Sequence, residues 1–229
     1  MKSTDSQVVD LEFSRKYDKQ HAEAYHHKHR QGLLRVWSHV REEQMARRAL
    51  RLAGNPQTVL DLPCGAGRFW PLLLEQPDRA LIAADYSADM LTVAQSVHRE
   101  IMQGRVQCLQ TSAFNIDLPD SAVDNIFCMR LLHHIGRSED RKILLEQFHR
   151  VARETVIISL WVDGNYKAWR RKRLERQRQK HRKTGGQNRF VVARRTIEEE
   201  FKASGFESLG HIDFLPLYQM WRIYVLRKC

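Results

Sequence analysis

Cysteine is scarce in this 229-residue sequence, and Cys64, Cys108, Cys128 and Cys229 share no metal-site spacing. A cysteine metal site is therefore not expected, and reduced thiols are. No apolar run is long enough to span a bilayer, and Met1 to Asp10 lacks a basic-then-apolar leader. The expectation is a soluble, cytoplasmic protein, with peripheral contact at the inner membrane surface left open. Proline and glycine are few, at 6 and 11, and no stretch rich in proline or in serine and glycine divides the chain. It reads as a single domain with one sizeable core.

Acidic residues are also short, 27 against 38 Lys and Arg, for a net charge of +11. The imbalance is local. Tyr166 to Arg195 holds thirteen Lys and Arg against Glu175 alone, whereas the rest of the chain holds 25 against 26 acids. Scattered excess would indicate only a solvated surface, but an excess confined to thirty residues asks for an anionic partner.

What is present is organised around Thr58 to Phe69. An apolar run after the helix stop Gly54-Asn55-Pro56 reads as a buried strand, Pro63 to Gly67 as a turn, and Phe69 to Leu74 as a helix. Gly65 and Gly67 would bring backbone close to a ligand, since a Cβ at either would obstruct that approach. A dinucleotide fingerprint needs a third glycine where Trp70 stands, and Asp61 at the loop mouth repels pyrophosphate. That carboxylate suits a sulfonium or an amino group. Leu81-Ile82-Ala83-Ala84-Asp85 is a second apolar strand, ending in an acid able to bridge two ribose hydroxyls. A ribose with a cationic, amino-acid-like end describes S-adenosyl-L-methionine.

On these residues the chain resembles the class I S-adenosylmethionine-dependent methyltransferases, of the small-molecule and lipid-type, type 11/25-like kind. Asp61-Leu-Pro-Cys-Gly65-Ala-Gly67 matches the first family motif and Asp85-Tyr-Ser-Ala-Asp-Met90 the second. The likeness continues through Leu118-Pro119-Asp120-Ser-Ala-Val-Asp124 and Leu131-Leu132-His133-His134, covering about Leu50 to Leu160. The resemblance implies an α/β, Rossmann-like, doubly wound seven-stranded mixed sheet in the order 3-2-1-4-5-7-6, with the last strand antiparallel. It divides the chain into an N-terminal helical cap (1–53), a cofactor-binding core (54–162), a basic insertion (163–195) and a C-terminal helix with β-hairpin (196–229). The implied cofactor site comprises Asp61, Pro63, Cys64, Gly65, Gly67, Asp85, Tyr86, Met90, Ser112, Ala113, Phe114, Met129 and Arg130. Tyr25 of the cap, or Tyr17, would stack over the ligand, Met90 would touch the adenine, and Ser112 stands where many relatives carry an acid.

Elsewhere, the apolar residues Leu33, Leu34, Trp37, Val40, Met45, Ala49 and Leu50 are spaced as the apolar face of an amphipathic helix from Gly32 to Ala53. Ser87 is expected to cap a helix to Met102, and Val106 to Gln110 to form strand three. Val123 to Met129 reads as strand four. Ser138-Glu139-Asp140 should cap a helix over 141–150 with inward residues Ile143, Leu144, Gln147, Phe148 and Val151. A turn at Ala152-Arg153-Glu154 then leads to strand five, Thr155 to Trp161. Thr196 should cap a helix ending at Gly205, and Phe206 to Leu215 and Gln219 to Leu226 alternate as two strands. His21, His26, His27 and His29 lack zinc-helix spacing with a carboxylate and read as a solvated face, so no metal site is expected.

Methyl transfer from a sulfonium needs mainly in-line positioning. His133, at the carboxyl end of strand four, is the candidate general base, with a pocket-wall role as the alternative. The basic insertion points to a substrate or regulator held at Lys167–Lys183: a phosphorylated glycolipid such as lipopolysaccharide, a nucleic acid, or a cyclic dinucleotide. Arg178-Gln-Lys-His-Arg182 matches the Arg-x-x-x-Arg element of PilZ-type cyclic-diguanylate receptors. The function expected is therefore a methyltransferase for an anionic acceptor. The alternative is a binding module or sensor of the same fold whose insertion docks a protein, RNA or cyclic dinucleotide.

Overall fold

The computed structural model describes residues 33–102, 104–180 and 189–229. Seven strands form one sheet: β1 (Thr58–Asp61), β2 (Ala80–Asp85), β3 (Val106–Gln110), β4 (Val123–Cys128), β5 (Ala152–Trp161), β6 (Phe206–Asp213) and β7 (Trp221–Lys228). Their order is β3-β2-β1-β4-β5-β7-β6. The first five are parallel, and β7 lies antiparallel between β5 and β6. This is the sheet that the family resemblance implies. The helices are α1 (Leu33–Leu52), α2 (Trp70–Leu73), α3 (Ala88–Met102), α4 (Ser138–Val151), α5 (Tyr166–Lys180) and α6 (Arg194–Ala203).

The central strands are apolar at consecutive positions because both faces of the sheet are covered, and neighbouring side chains point to opposite faces. Val59 packs with Leu81, Phe127 and Ile157 beneath Met45 and Ala46 of α1. Leu60, the next residue, joins Ile126, Val156 and Ile158 beneath Leu144 and Phe148 of α4 and Phe201 of α6. All the βα loops therefore emerge at one edge, the carboxyl ends of β1, β2, β4 and β5.

The stop after α1 is realised by left-handed backbone at Gly54 (φ 83°) and Asn55 (φ 54°), with the Asn55 N–H donating to the Leu50 carbonyl at 2.8 Å. Met45, Ala49 and Leu50 face the core as expected, while Trp37 and Val40 stay exposed. Trp37 instead rests edge-on against Phe214, 5.6 Å between centroids. In α4, Leu145 is buried and Ile143 only half-buried.

Three local expectations are corrected. Ser138 is the first residue of α4 and not its cap, because its hydroxyl donates to Glu200 Oε1 at 2.7 Å, tying α4 to α6. Thr196 is likewise inside α6, which begins at Arg194 because Asp163 Oδ1 accepts the Arg194 N–H at 3.0 Å. Ala152-Arg153-Glu154 belongs to β5 and makes no turn, Ala152 pairing with Val123 of β4. The cap tyrosines Tyr17 and Tyr25, the four N-terminal histidines and Arg182 of the Arg-x-x-x-Arg match lie outside the described residues.

Candidate active site

The first wall of the site is the loop after β1. Strand pairing continues past Asp61, since the Leu62 N–H donates to the Phe127 carbonyl at 3.1 Å and the Cys64 N–H to the Ala84 carbonyl at 2.8 Å. The Leu62–Pro63 peptide bond is cis. Gly65 and Gly67 both have left-handed backbone, φ 54° and 75°. Their reasons differ. A Cβ on Gly65 would meet nothing within 4 Å, whereas one on Gly67 would fall 2.7 Å from His98 Cδ2 and 2.9 Å from Trp70 Cδ2. Only Gly65 therefore faces open space, and Gly67 admits the Trp70 and His98 rings, which pack 5.4 Å apart between centroids. Gly67→Ala is expected to destabilise the fold by about 1–3 kcal/mol through strain and overpacking. Gly65→Ala should cost about 1–2 kcal/mol in stability, from its left-handed backbone alone, and show its main effect in ligand affinity. Urea melts and titrations on both variants check this contrast.

Two acids stand at adjacent strand ends. Asp85 accepts the Gly65 N–H on Oδ2 and the Ser87 N–H on Oδ1, both at 2.9 Å, so one carboxylate fastens the glycine loop to the turn after β2. Burial raises its pKa, and these backbone donors oppose the rise. Asp61 is 1% exposed, and neither oxygen has a hydrogen-bond partner among the described residues. The Trp70 indole N–H acts on it without closing a full hydrogen bond. Burial, then the neighbouring Asp85 charge, push the Asp61 pKa well above the ordinary carboxylate range. A buried carboxylate in that condition is matched by a cation. The Cys64 and Cys128 thiols are pushed upward by burial and are not nucleophiles at neutral pH.

The remaining candidates follow β2, β3 and β4 at the same sheet edge. Met90, Ala66 and Val93 form a small buried cluster below the glycine loop, and Ser87 Oγ accepts the Met90 N–H at 3.3 Å. Tyr86 is exposed. Ser112 Oγ accepts the Phe114 N–H at 3.2 Å, so the hydroxyl holds its own turn, with Ala113 buried and Phe114 half-buried. Met129 is buried, and Arg130 has left-handed backbone (φ 67°) with its N–H donating to Ser159 Oγ at 2.8 Å. Tyr25 lies outside the described residues.

The second wall was only partly legible in the sequence. His133 is 4% exposed, stacked on Trp161 at 5.0 Å and edge-on to Trp221 at 5.2 Å. The Arg171 and Arg189 guanidiniums lie 5.1 and 5.7 Å from the Trp161 ring, and Arg130 lies 5.3 Å from Trp221. The chain is strapped there by the Phe190 N–H on the His133 carbonyl at 2.7 Å and the Val192 N–H on the Trp161 carbonyl at 2.9 Å. Burial first, then His134, Arg189, Arg130 and Arg171, push the His133 pKa down to about 2. The imidazole is neutral at every working pH, a poor general base and a sound aromatic wall.

A depressed histidine contributes stability in full above its unfolded pKa of about 6.5, and that contribution is lost as pH falls, about 2 kcal/mol of it by pH 5. His133→Phe should flatten the dependence of urea stability on pH over this range. An unchanged slope would mean that His133 accepts a proton in the folded state.

Sequence reasoning also missed Glu42, which is 3% exposed and approaches Arg130 Nη2 through Oε1 at 3.0 Å. Arg68 Nη2 lies 3.1 Å from Oε2, an ion pair without hydrogen-bond alignment. No periodicity marks Glu42, one acid on a charged helix. Trp161 and Trp221 carried a usable signal as aromatics at the ends of strands that reach the ligand edge.

With this geometry in view, the comparisons with other proteins are consistent. Residues 59–155 match the family model described as a methyltransferase domain. An uncharacterized methyltransferase-like protein of Schizosaccharomyces pombe is 29% identical over 91 residues, covering 40% of this chain and 34% of that relative. The matched segment thus spans about a third of the curated relative's length. The crystal structure of magnesium protoporphyrin IX methyltransferase from Synechocystis PCC 6803 with bound SAH has a similar fold, TM-score 0.74 at 15% identity over 96% of this chain and 100% of that one. A SAM-dependent methyltransferase from Aquifex aeolicus superposes at TM-score 0.62 and 19% identity, over 92% and 98% of the two chains.

Proposed function

The central segment is a methyltransferase domain of the class I S-adenosylmethionine-dependent family, and from that premise we propose an enzyme that methylates an anionic acceptor. The observation that carries the cofactor reading is Asp61, a buried carboxylate without a partner among the described residues, beside a glycine that faces open space. When bound, S-adenosylmethionine supplies a methyl group already activated on a sulfonium. Asp61 would face the cationic end, Asp85 the ribose hydroxyls while holding the Gly65 amide, and Met90 with Ala66 the apolar adenine side. Tyr86, Ser112, Ala113, Phe114, Met129 and Arg130 would line the remainder.

The anionic character of the acceptor is supported by the three guanidiniums gathered on Trp161 and Trp221 at the same edge, of which Arg130 also pairs with Glu42 and Arg171 with Glu175. They would orient an oxyanion and lower its cost of desolvation. With His133 neutral, the wall positions the acceptor in line and removes no proton, which favours an acceptor nucleophile already ionised or already bearing a lone pair. Phosphate-bearing molecules, a phosphorylated glycolipid such as lipopolysaccharide or a nucleic acid, are the acceptor classes that this charge would suit.

Calorimetry with S-adenosylmethionine and its demethylated product tests the reading. Both should bind. Because the ionised form of Asp61 is the one that attracts a cation and its pKa is raised, affinity for S-adenosylmethionine should climb as pH rises through the Asp61 titration and then level off. The product, lacking the sulfonium charge, should climb less. No binding of either to folded protein would sink the proposal and leave a binding module of this fold.

A further inference from the structure

We propose that α5 and the loop before β7 form a docking surface for an anionic membrane. As a helix alone, α5 has too little apolar surface to enter a bilayer. The fold adds what it lacks. The Tyr166 N–H donates to the Leu217 carbonyl at 2.9 Å and the Lys167 N–H to the Tyr218 carbonyl at 3.0 Å, fastening the loop to the first helical turn. Tyr166 and Tyr218 stack at 5.7 Å, 10° from parallel.

The composite patch exposes Leu217 at 82%, Trp169 at 57%, Tyr166 at 48% and Tyr218 at 45%. Leu217 also has left-handed backbone, φ 60°. A leucine held in a strained conformation with its side chain in water is unfavourable twice over, and insertion into an apolar phase removes the second penalty. Tryptophan and tyrosine beside it are the side chains that favour the headgroup level of a bilayer.

The charges are sorted to match. Arg171 pairs with Glu175 and Lys172 with Asp163. Lys167, Arg170 and Arg173 have no acidic partner among the described residues. Two of these lie over the exposed rings, Lys167 at 5.5 Å from Tyr218 and Arg173 at 5.7 Å from Trp169. Tyr166, Trp169, Lys172 and Leu217 also line a shallow open concavity of about 470 Å³. Cations interleaved with aromatics around a projecting leucine fit a phosphate-rich surface with an apolar layer beneath it. A nucleic acid would use the cations and rings but gains nothing from Leu217. No helix among the described residues is long and apolar enough to cross a membrane.

Arg171 lies on the Trp161 wall while Trp169 of the same helix is exposed. The surface therefore adjoins the proposed acceptor site, and a membrane-resident acceptor would meet both. That last step rests on the methyltransferase reading, whereas docking itself does not.

The test is co-sedimentation of the full chain with vesicles of phosphatidylcholine alone or mixed with phosphatidylglycerol. Binding is expected only to the mixed vesicles, weakening with salt. Replacing Lys167, Arg170 and Arg173 by glutamine should weaken it about a hundredfold. Leu217→Ser with Trp169→Ser should weaken it by roughly tenfold or more. Calorimetry with S-adenosylmethionine should be unchanged in both variants, which shows that they fold and separates this proposal from the preceding one. Failure of the parent to bind mixed vesicles at low salt overturns the proposal. So does full binding by the Leu217 and Trp169 variant, or single-stranded RNA binding that depends on the cations and displaces the vesicles.

Discussion

Asp85→Ala is expected to lower S-adenosylmethionine affinity by at least tenfold, with a much smaller loss of global stability. The side chain would contribute charge-assisted hydrogen bonds to two ribose hydroxyls, each worth about 1.5–3 kcal/mol in a buried site, and 1.4 kcal/mol already gives a factor of ten. The structure adds a second route to the same loss. The carboxylate accepts the Gly65 and Ser87 amides at 2.9 Å, so its removal also frees the glycine loop. Asp85→Asn separates the two contributions, because an amide oxygen can still accept one of these N–H groups. It should recover part of the affinity and most of the loop order, read by titration and by amide exchange at Gly65. Unchanged affinity in Asp85→Ala would mean that the ribose is elsewhere.

The glycine loop and its flanking strands were legible in the sequence because each depends on residues close in the chain, whereas the strand order, which pairs distant segments, was implied only by the family resemblance. Thr58 to Asp61 and Leu81 to Asp85 are apolar runs closed by an acid, and only a buried parallel sheet accommodates such runs without alternation. Helix starts were less legible. Ser138 and Thr196 have the chemistry of caps, yet Glu200 and Asp163, distant in sequence, decide where α4 and α6 begin. The same distinction divides the site. Asp61, Gly65 and Asp85 follow from local pattern, whereas the meeting of His133 with Trp161, Trp221, Arg171 and Arg189 requires β5, β7 and the strap at Phe190 to be in place. Gly67 is the instructive intermediate: the motif marked a position that a Cβ would obstruct and assigned the obstacle to a ligand, whereas the structure places Trp70 and His98 there.

Glu42→Gln is expected to cost about 3 kcal/mol in stability, more than any other single charge removal on α1. Glu42 is nearly inaccessible and has Arg68 and Arg130 on its two oxygens at 3.1 and 3.0 Å. Removing one partner of a buried ion pair leaves an uncompensated charge, at about 3–5 kcal/mol, and the partial exposure of Arg130 places this case at the lower end. Arg68 follows Gly67 of the glycine loop and Arg130 follows Met129 at the end of β4, so both loops should loosen together and affinity for S-adenosylmethionine should fall alongside stability. Glu43→Gln is the control one residue away. Glu43 pairs with His39 and Arg47 on the half-exposed side of the helix, and its loss should cost about 1 kcal/mol or less. A double variant, Glu42→Met with Arg68→Met, should recover part of the stability while the cofactor affinity stays low, because packing can replace a buried pair but cannot aim a loop. Equal urea midpoints for the Glu42 and Glu43 variants would show that the Arg68 and Arg130 charges are solvated without Glu42, and that α1 covers the site without ordering it.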